Sequence, residues 1–335
     1  MRGTSWARAA KLLGIALVLL ALPVLGACGG DGGGVEPTAT PAPQVNEFEV
    51  VQDAVADYLS DFSGGKNGIN LAATDLYAVL NDGDDDNDPY IASLRSAADY
   101  AKGHIPGAVN IAFGDLTTLP KGEDILVYCY TGQTASMATA ILGTVGYDVQ
   151  NLLHGMSSWT TDADVYVKRF DAATAQSDYT VETTANDATA TYDYPDLDNT
   201  ASSNDAAILE AAAKSVTTKY ISATDLYGFI NDGDDDTTPF IIDLRAGADY
   251  TAGHVPGAVN MGLGSLASNL DKIPADQTVV LYCYTGHSAA QGTALINMLG
   301  YDAKSLSFGF CSWSSTATKC FDATTAAHDY ATATE

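Results

Sequence analysis

Two cysteines occupy equivalent points of a passage that the chain contains twice. Cys129 follows the apolar run 125–128, Cys283 follows the run 279–282, and each begins a short loop that contains a glycine. Such a loop, with a helix starting at its end, can direct several backbone N–H groups to one point and stabilise an anion there. A thiolate in that position is an activated nucleophile that could also hold a second sulfur as a persulfide. The alternative is a buried structural cysteine, which is common for this residue type.

The elements that must position these cysteines follow from the surrounding pattern. The runs 125–128 and 279–282 are typical of fully buried parallel strands, and 134–145 and 288–299 are typical of helices packed by small residues. Strand, loop, helix and strand in this order predict an α/β fold with a mostly parallel sheet. Ligands bind such sheets at the carboxyl ends of the strands, which is where both cysteines lie.

The repeat also predicts the domain organisation. His104 and His254 are 150 residues apart, whereas Trp159 and Trp313, two expected core residues, are 154 apart. Each copy therefore has the size of one ordinary domain. A stretch rich in Thr, Ala, Asp and Asn separates the copies and is interpreted as a linker draped over a domain surface. The predicted boundaries are 46–171 for the first domain, 172–204 for the linker and 205–335 for the second domain.

Four motifs occur in a fixed order along the second copy. They are Asp-Leu-Arg at 243–245, Gly-His-Val-Pro-Gly-Ala-Val-Asn at 253–260, the Cys283 loop and Gly-Phe-Cys-Ser-Trp at 309–313. The first copy repeats the last three at 103–110, at the Cys129 loop and at 155–159. This ordered set resembles the rhodanese-type sulfurtransferase domain. The resemblance implies two tandem domains, each a five-stranded, mostly parallel sheet flanked by helices.

The resemblance also implies roles for individual residues. Cys129 and Cys283 would form persulfides, and no cofactor is required because loop amides stabilise the anions. Structural roles are implied for Arg95, Asp243, Arg245, His104 and His254. Catalysis by the two histidines is the less favoured alternative. The loop residues expected to hold the terminal sulfur or oxygens of the substrate are Tyr130, Thr131, Gly132, Gln133, Thr134, Ala135, Tyr284, Thr285, Gly286, His287, Ser288 and Ala289.

Three features of the sequence refine the expected chemistry. Related phosphatase loops carry an arginine where this chain has Ala135 or Ala289, so phosphate chemistry is not expected. Ser93 stands where the second copy has an aspartate before its arginine, so the first domain is expected to be looser. His287 is the one cationic candidate within the loops and is charged only part of the time near neutral pH. Polysulfide or a protein-bound persulfide is therefore favoured over thiosulfate, a dianion.

Two further cysteines and two acidic loops need separate interpretations. Cys311 and Cys320 both lack a counterpart in the first copy, which predicts a disulfide in an oxidising compartment. The alternative is a resolving thiol that attacks the Cys283 persulfide. The runs 81–86 and 231–236 resemble the first half of a calcium loop, but the expected glycine is missing. A solvated acidic turn is the better interpretation, and no metal is predicted.

The N-terminus and the charge predict where the protein acts. Residues 1–27 have the pattern of a lipoprotein signal peptide, Cys28 is the expected lipidation site, and 28–45 form a flexible tether. We therefore expect an extracytoplasmic protein, periplasmic or on the outer surface, that contacts the membrane through its lipid alone. The formal charge of −27 makes nucleic acid an unsuitable partner.

These observations predict a sulfurtransferase that moves sulfane sulfur from thiosulfate or polysulfide to a thiol or other thiophilic acceptor. Two alternatives stay open: a non-catalytic carrier of polysulfide or sulfur, and an interaction module that uses the fold as a scaffold.

Overall fold

The structure is a computed structural model that describes residues 45–63, 70–234 and 236–334. The predicted signal peptide, Cys28 and nearly all of the predicted tether lie outside the described residues. Within those residues, no helix has both the length and the apolar character needed to cross a membrane.

Each half of the chain contains one five-stranded sheet in which every strand pairing is parallel. The first half has the strand order β1-β5-β4-β2-β3 and the second half the equivalent order β6-β10-β9-β7-β8. The strands are β1 (Asn70–Leu71), β2 (Tyr90–Ser93), β3 (Val109–Asn110), β4 (Asp124–Tyr128), β5 (Asp148–Leu152), β6 (Tyr220–Ile221), β7 (Phe240–Asp243), β8 (Val259–Asn260), β9 (Val279–Tyr282) and β10 (Ala303–Leu306). The predicted fold class is confirmed.

Helices flank both sheets. In the first half they are α1 (Glu47–Ser63), α2 (Ala73–Val79), α3 (Ala97–Lys102), α4 (Gln133–Thr144), α5 (Met156–Trp159), α6 (Ala163–Tyr166) and α7 (Ala172–Ala175). In the second half they are α8 (Asp205–Ser215), α9 (Ala223–Asn231), α10 (Gly247–Ala252), α11 (His287–Met298), α12 (Phe310–Trp313) and α13 (Ala323–Ala326). Short 3₁₀ helices span Asp85–Asn87, Phe113–Thr118 and Leu263–Lys272.

One hydrophobic core cluster spans both halves, and each half also has a cluster of its own. Helices α4 and α11, which follow the two cysteine loops, pack against each other, and their buried side chains belong to a single cluster. Helix α1 contacts Leu263–Lys272 of the second half, while α8 contacts both α1 and Phe113–Thr118 of the first half. Small residues along α4 and α11 permit this close approach, so the helices that carry the loops form the centre of the molecule.

The segment that leaves the first half crosses onto the second half. Residues 176–186, the first crossing segment, run over the second half, where the Tyr179 N–H donates to the Trp313 carbonyl (3.1 Å). The Tyr179 ring lies 5.1 Å from the Trp313 ring, and the Glu182 and His254 backbones exchange two hydrogen bonds. This part of the predicted linker therefore lies on the surface of the second half.

The C-terminal segment makes the reciprocal crossing. Residues 327–334, the second crossing segment, return to the first half, where the Tyr330 N–H donates to the Trp159 carbonyl (3.1 Å) and the Tyr330 ring packs on the Trp159 ring (5.0 Å). The His104 and Ala333 backbones exchange two hydrogen bonds. Each half is thus covered by a segment that belongs to the other half.

Candidate active site

Both cysteines lie where the sequence predicts, directly after a central strand of a parallel sheet. Cys129 follows β4 and Cys283 follows β9, and both are free thiols. Their exposed fractions are 2% and 8%, so each sulfur lies below the surface at the carboxyl end of its sheet. Gly132 and Gly286 turn each loop into the following helix in the left-handed region, at φ +81° and +86°. That conformation favours glycine because other residues carry a Cβ.

The backbone N–H groups of each cysteine loop have no protein acceptor among the described residues. Within the part of the chain that the structure describes, none of the amides at 130–135 or 284–289 donates to a protein acceptor. The first bonded amides of the two helices are those of Ser136 and Ala290, which donate to the loop glycines (2.9 Å each). Free amides at a helix N-terminus stabilise negative charge, so both loops can hold a thiolate, a persulfide or an anionic substrate.

A second turn in each half holds the cysteine backbone from behind. The Met156 N–H donates to the Cys129 carbonyl (2.9 Å), and in the second half the Phe310 N–H donates to the Cys283 carbonyl (2.7 Å). A Cβ on Gly155 would lie 2.4 Å from the Cys129 carbonyl oxygen, so this turn requires glycine. The Gly-x-x-x-Trp motifs noted in the sequence therefore support the cysteine loops.

The tyrosine after each cysteine lies between two cations. The Tyr284 ring is 5.3 Å from the Arg245 guanidinium and 4.6 Å from the Lys319 ammonium, which also pairs with Asp249 (3.0 Å). In the first half, Lys168 lies 4.7 Å from the Tyr130 ring. Each loop thus has an ammonium group close to its tyrosine.

Sequence reasoning missed these two lysines. Their signal in the sequence is a repeated Lys-x-Phe-Asp-Ala, at 168–172 and 319–323.

The predicted structural residues brace the turns next to the loops. Buried Asp243 pairs with Arg245 (2.7 Å) and accepts from the Tyr282 hydroxyl (2.6 Å). Ser93 replaces this carboxylate in the first half, where buried Arg95 donates to three backbone carbonyls instead. Among the described residues, the Nε of Arg95 has no hydrogen-bond partner.

Both histidines of the His-x-Pro-Gly motifs are fixed by their own helices. The Nδ1 of His104 lies 3.0 Å from the Tyr100 carbonyl and that of His254 lies 2.9 Å from the Tyr250 carbonyl. Each imidazole also stacks on the same tyrosine, with ring centroids 3.8 Å apart. These contacts fit the structural role that the resemblance implies.

The two cysteine loops face each other across the junction of the halves. His287, the first residue of α11, is 4% exposed, and its Nδ1 lies 2.7 Å from the Thr285 hydroxyl. Burial and the neighbouring His154 ring, 5.0 Å away, lower the pKa of His287 from 6.5 to about 3. The expectation that His287 is partly cationic near neutral pH is therefore wrong, because the other half removes it from water. A small cavity of about 10 Å³ beside these rings is lined by Thr131, His154, Ser157, Phe170, Thr285, His287, Phe308, Cys311 and Phe321.

One contact to the loops occurs in the first half alone. The Tyr220 hydroxyl, from the second half, lies 3.1 Å from the Thr134 hydroxyl in the Cys129 loop. Burial and the nearby Cys129 raise the pKa of Tyr220. Asn70 is the counterpart of Tyr220 by the 150-residue repeat, so the Cys283 loop does not receive the equivalent tyrosine.

The structure joins Cys311 and Cys320 by a disulfide. The Cys311 N–H donates to the Tyr284 carbonyl (3.0 Å), so this cysteine lies beside the Cys283 loop. Ser157 is the counterpart of Cys311, and its hydroxyl bridges the backbone carbonyls of Tyr130 and Lys168. The disulfide therefore joins the same two segments covalently that hydrogen bonds join in the first half.

The acidic loops are folded on their own backbones. Asp82 accepts from the Asp84 N–H (2.8 Å), and Asp232 accepts from the Asp234 N–H (2.9 Å). Among the residues that the structure describes, no group of three or more His, Cys, Asp or Glu side chains is arranged to hold a metal ion.

Comparison with known proteins agrees with this site. The model of the family described as rhodanese-like domain matches residues 72–162 and 222–316. The thiosulfate sulfurtransferase GlpE of Shewanella oneidensis is 32% identical over 74 residues, which are 22% of this chain and 73% of that protein. YrkF of Bacillus subtilis, named as a candidate sulfur carrier protein, is 29% identical over 100 residues, which are 28% of this chain and 54% of that one. This chain thus spans about half the length of YrkF.

The alignment with one solved structure is long, but its TM-score is low. Thiosulfate sulfurtransferase from Pseudomonas aeruginosa matches with 15% identity and a TM-score of 0.28, over 85% of this chain and 49% of that one. The family model covers more than half of the chain, and each match contains a cysteine loop with its supporting turn. The chain belongs to the rhodanese-like family and carries two of its domains.

Proposed function

We propose that the protein is a sulfurtransferase in which Cys129 and Cys283 each carry sulfane sulfur as a persulfide. The observation that carries this proposal is a free, buried thiol followed by a loop of unbonded amides, formed twice at the end of a central strand. Such a site stabilises the anions of the reaction without a cofactor.

The reaction has two transfers that balance at sulfur. The thiolate attacks the outer sulfur of thiosulfate, a new S–S bond forms at the cysteine, and sulfite leaves with the electron pair of the broken S–S bond. With polysulfide the leaving group is the shortened polysulfide. A thiophilic acceptor such as a thiolate or cyanide then attacks the outer sulfur, and the cysteine leaves as thiolate. The free amides hold the negative charge at each stage.

The donor must be captured by local charge because the whole protein is strongly acidic. The His287 imidazole is neutral near pH 7, so it does not supply that charge. Lys168 and Lys319 place an ammonium group 4.7 and 4.6 Å from the two loop tyrosine rings. They support an anionic donor such as thiosulfate or polysulfide.

The same proposal includes the location. A signal peptide with a lipidated Cys28 would place the protein outside the cytoplasm, attached to the envelope through its lipid. The Cys311–Cys320 disulfide supports an oxidising compartment.

A persulfide carrier with slow turnover is the second candidate. The exposed fractions of 2% and 8% favour it, because a persulfide so deeply buried is shielded from acceptors.

Intact-mass measurement on the protein produced without the predicted signal peptide and tether, the soluble form, tests the proposal. The protein is treated with thiosulfate or with polysulfide, alongside Cys129→Ser and Cys283→Ser. We expect one added sulfur atom per active cysteine, absent from the matching variant and removed by cyanide. Fast turnover with cyanide or a thiol supports the enzyme, whereas loading without turnover supports the carrier. If free thiols gain no sulfur from either donor, the proposal is wrong.

A further inference from the structure

Each cysteine loop sends one side chain into the other half of the chain. Gln133 in the first loop accepts, through its Oε1, the backbone N–H of Phe308 (2.9 Å). His287 in the second loop accepts, through its Nε2, the backbone N–H of His154 (3.3 Å). Gln133 and His287 are equivalent residues, each the first of its helix and each almost fully buried. The loops therefore exchange equivalent contacts.

The residues that receive these contacts belong to the supporting turns. His154 and Phe308 both have a left-handed backbone, at φ +62° and +59°, which is costly for a residue with a side chain. Each is followed by the glycine that lies against the cysteine carbonyl, and two residues later a backbone N–H donates to that carbonyl. A hydrogen bond from the other half thus holds the supporting turn, and the supporting turn holds the cysteine backbone.

We infer that the side chain of Gln133 positions Cys283 and the side chain of His287 positions Cys129. The connection runs from Gln133 through the turn at 308–310 to the Cys283 carbonyl, and from His287 through the turn at 154–156 to the Cys129 carbonyl. Every link is a direct hydrogen bond or adjacent residues of the chain. The two sites are therefore one coupled pair, and this inference rests on the proposed persulfide chemistry.

Tight packing leaves little room for the loops to move independently. A Cβ on Gly132 would lie 2.4 Å from the His287 Nε2, and one on Gly286 would lie 2.3 Å from the Gln133 Oε1. A close-packed contact transmits displacement because neither side can yield without shifting its neighbours. The loop glycines thus permit the cross-half contacts as well as the turn into each helix.

Substituting either side chain is therefore expected to affect mainly the cysteine of the opposite half. Gln133 and His287 keep their backbone amides in their own loops whatever side chain they carry, so the anion cradle of each loop remains. Each side chain also bonds a threonine of its own loop, Thr131 (3.2 Å) or Thr285 (2.7 Å), so its own cysteine is expected to change by the smaller factor. A side chain without an acceptor leaves the N–H of the opposite turn buried and unbonded, at a cost that corresponds to about a fivefold or greater effect. The opposite cysteine is therefore the one that loses its position.

Site-resolved sulfur loading tests this inference on the full soluble chain. Peptide mass spectrometry follows the rate of loading by polysulfide at Cys129 and Cys283 separately. We expect Gln133→Met to slow loading at Cys283 about fivefold or more, and to slow loading at Cys129 by a clearly smaller factor. His287→Met is expected to do the reverse. Gln133→Ala and His287→Ala serve as second variants. An effect that the alanine and methionine variants share cannot come from the bulk of the methionine side chain.

The chain offers matched controls, because the acceptor is glutamine in the first loop and histidine in the second, and the two can be exchanged. Gln133→His and His287→Gln keep an acceptor at the same place and are expected to restore loading to within about twofold of the unsubstituted protein. A merely structural role would slow both cysteines to the same extent, and a local role would slow mainly the cysteine of the substituted loop. Either result would overturn the inference, as would a swap variant that fails to restore loading.

A second reagent separates this inference from the proposed function. The rate of alkylation by iodoacetamide reports on each thiol without any sulfur transfer. If neither cysteine of the unsubstituted protein gains sulfur, the proposed function fails, whereas crossed alkylation effects still support the positioning roles. If sulfur loads normally but neither reagent shows a crossed effect, the positioning roles are wrong and the proposed function stands.

Discussion

Replacing His287 by glutamine should make the protein less sensitive to acid. His287 is buried and neutral in the folded protein, with its pKa lowered from 6.5 to about 3. Glutamine keeps an acceptor for the His154 N–H, as Gln133 does for the equivalent turn, but it does not titrate in this range. The substitution therefore removes one protonation equilibrium while it retains the contact.

The sign and size follow from proton linkage. Between pH 6.5 and about 3, the unfolded chain binds a proton at His287 that the folded protein does not bind, so stability falls as the pH falls. At pH 5 the unfolded pKa lies 1.5 units above the pH, and one unit corresponds to about 1.36 kcal/mol. His287 thus costs about 2 kcal/mol of stability at pH 5 and very little at pH 7.

Urea denaturation at pH 7 and pH 5, followed by tryptophan fluorescence, measures this difference. Burial lowers the pKa of His154 to about 4, so this neighbour of His287 is mostly neutral in the folded protein at both pH values. Its contribution and that of the carboxylates therefore cancel when the pH-dependent losses are subtracted. We expect the unsubstituted protein to lose about 2 kcal/mol more than His287→Gln between the two pH values. Equal losses would refute the reasoning, because they would mean that the folded protein accepts the proton on His287 at no cost.

Three further substitutions test other parts of the site. Tyr220→Phe removes the hydroxyl that reaches the first loop, so it should slow polysulfide loading at Cys129 by about twofold to tenfold while the second site keeps its rate in the same mass-spectrometric assay. Ser93→Asp gives Arg95, whose Nε has no partner among the described residues, the carboxylate that Arg245 has in the second half. It should raise the free energy of unfolding measured in urea by about 1.5–3 kcal/mol, and a decrease would contradict this account. Cys311→Ser combined with Cys320→Ala opens a short covalent loop, so it should lower that free energy by about 2–3 kcal/mol, and an unchanged urea midpoint would count against the disulfide.

The parts of the fold that could be predicted are those that local sequence determines. The runs 125–128 and 279–282 are apolar throughout because a central parallel strand is covered on both faces, so their ends located both cysteines. The helices expected at 134–145 and 288–299 begin one residue earlier than predicted, at Gln133 and His287. The edge strands have only two residues each, too few to show a period of their own.

The contacts between the halves could not be predicted, because they join residues far apart in the sequence. Nothing near His287 indicates that His154 and the first loop bury it, so its charge state was misjudged. The bond between Gln133 and Phe308 joins positions 175 residues apart, and no local pattern records it. Tyr220 lies in a short edge strand whose partner loop belongs to the other half.

The reciprocal crossing segments have a consequence for the origin of the molecule. Residues 176–186 cover the second half and 327–334 cover the first, as arms do when two identical subunits exchange them. A chain of half this length with the same contacts would be a twofold dimer, whose assembly depends on concentration. Fusion makes that pairing intramolecular, and it frees equivalent positions to differ. Gln133 opposite His287, Asn70 opposite Tyr220 and Ser93 opposite Asp243 are differences that an identical pair cannot have.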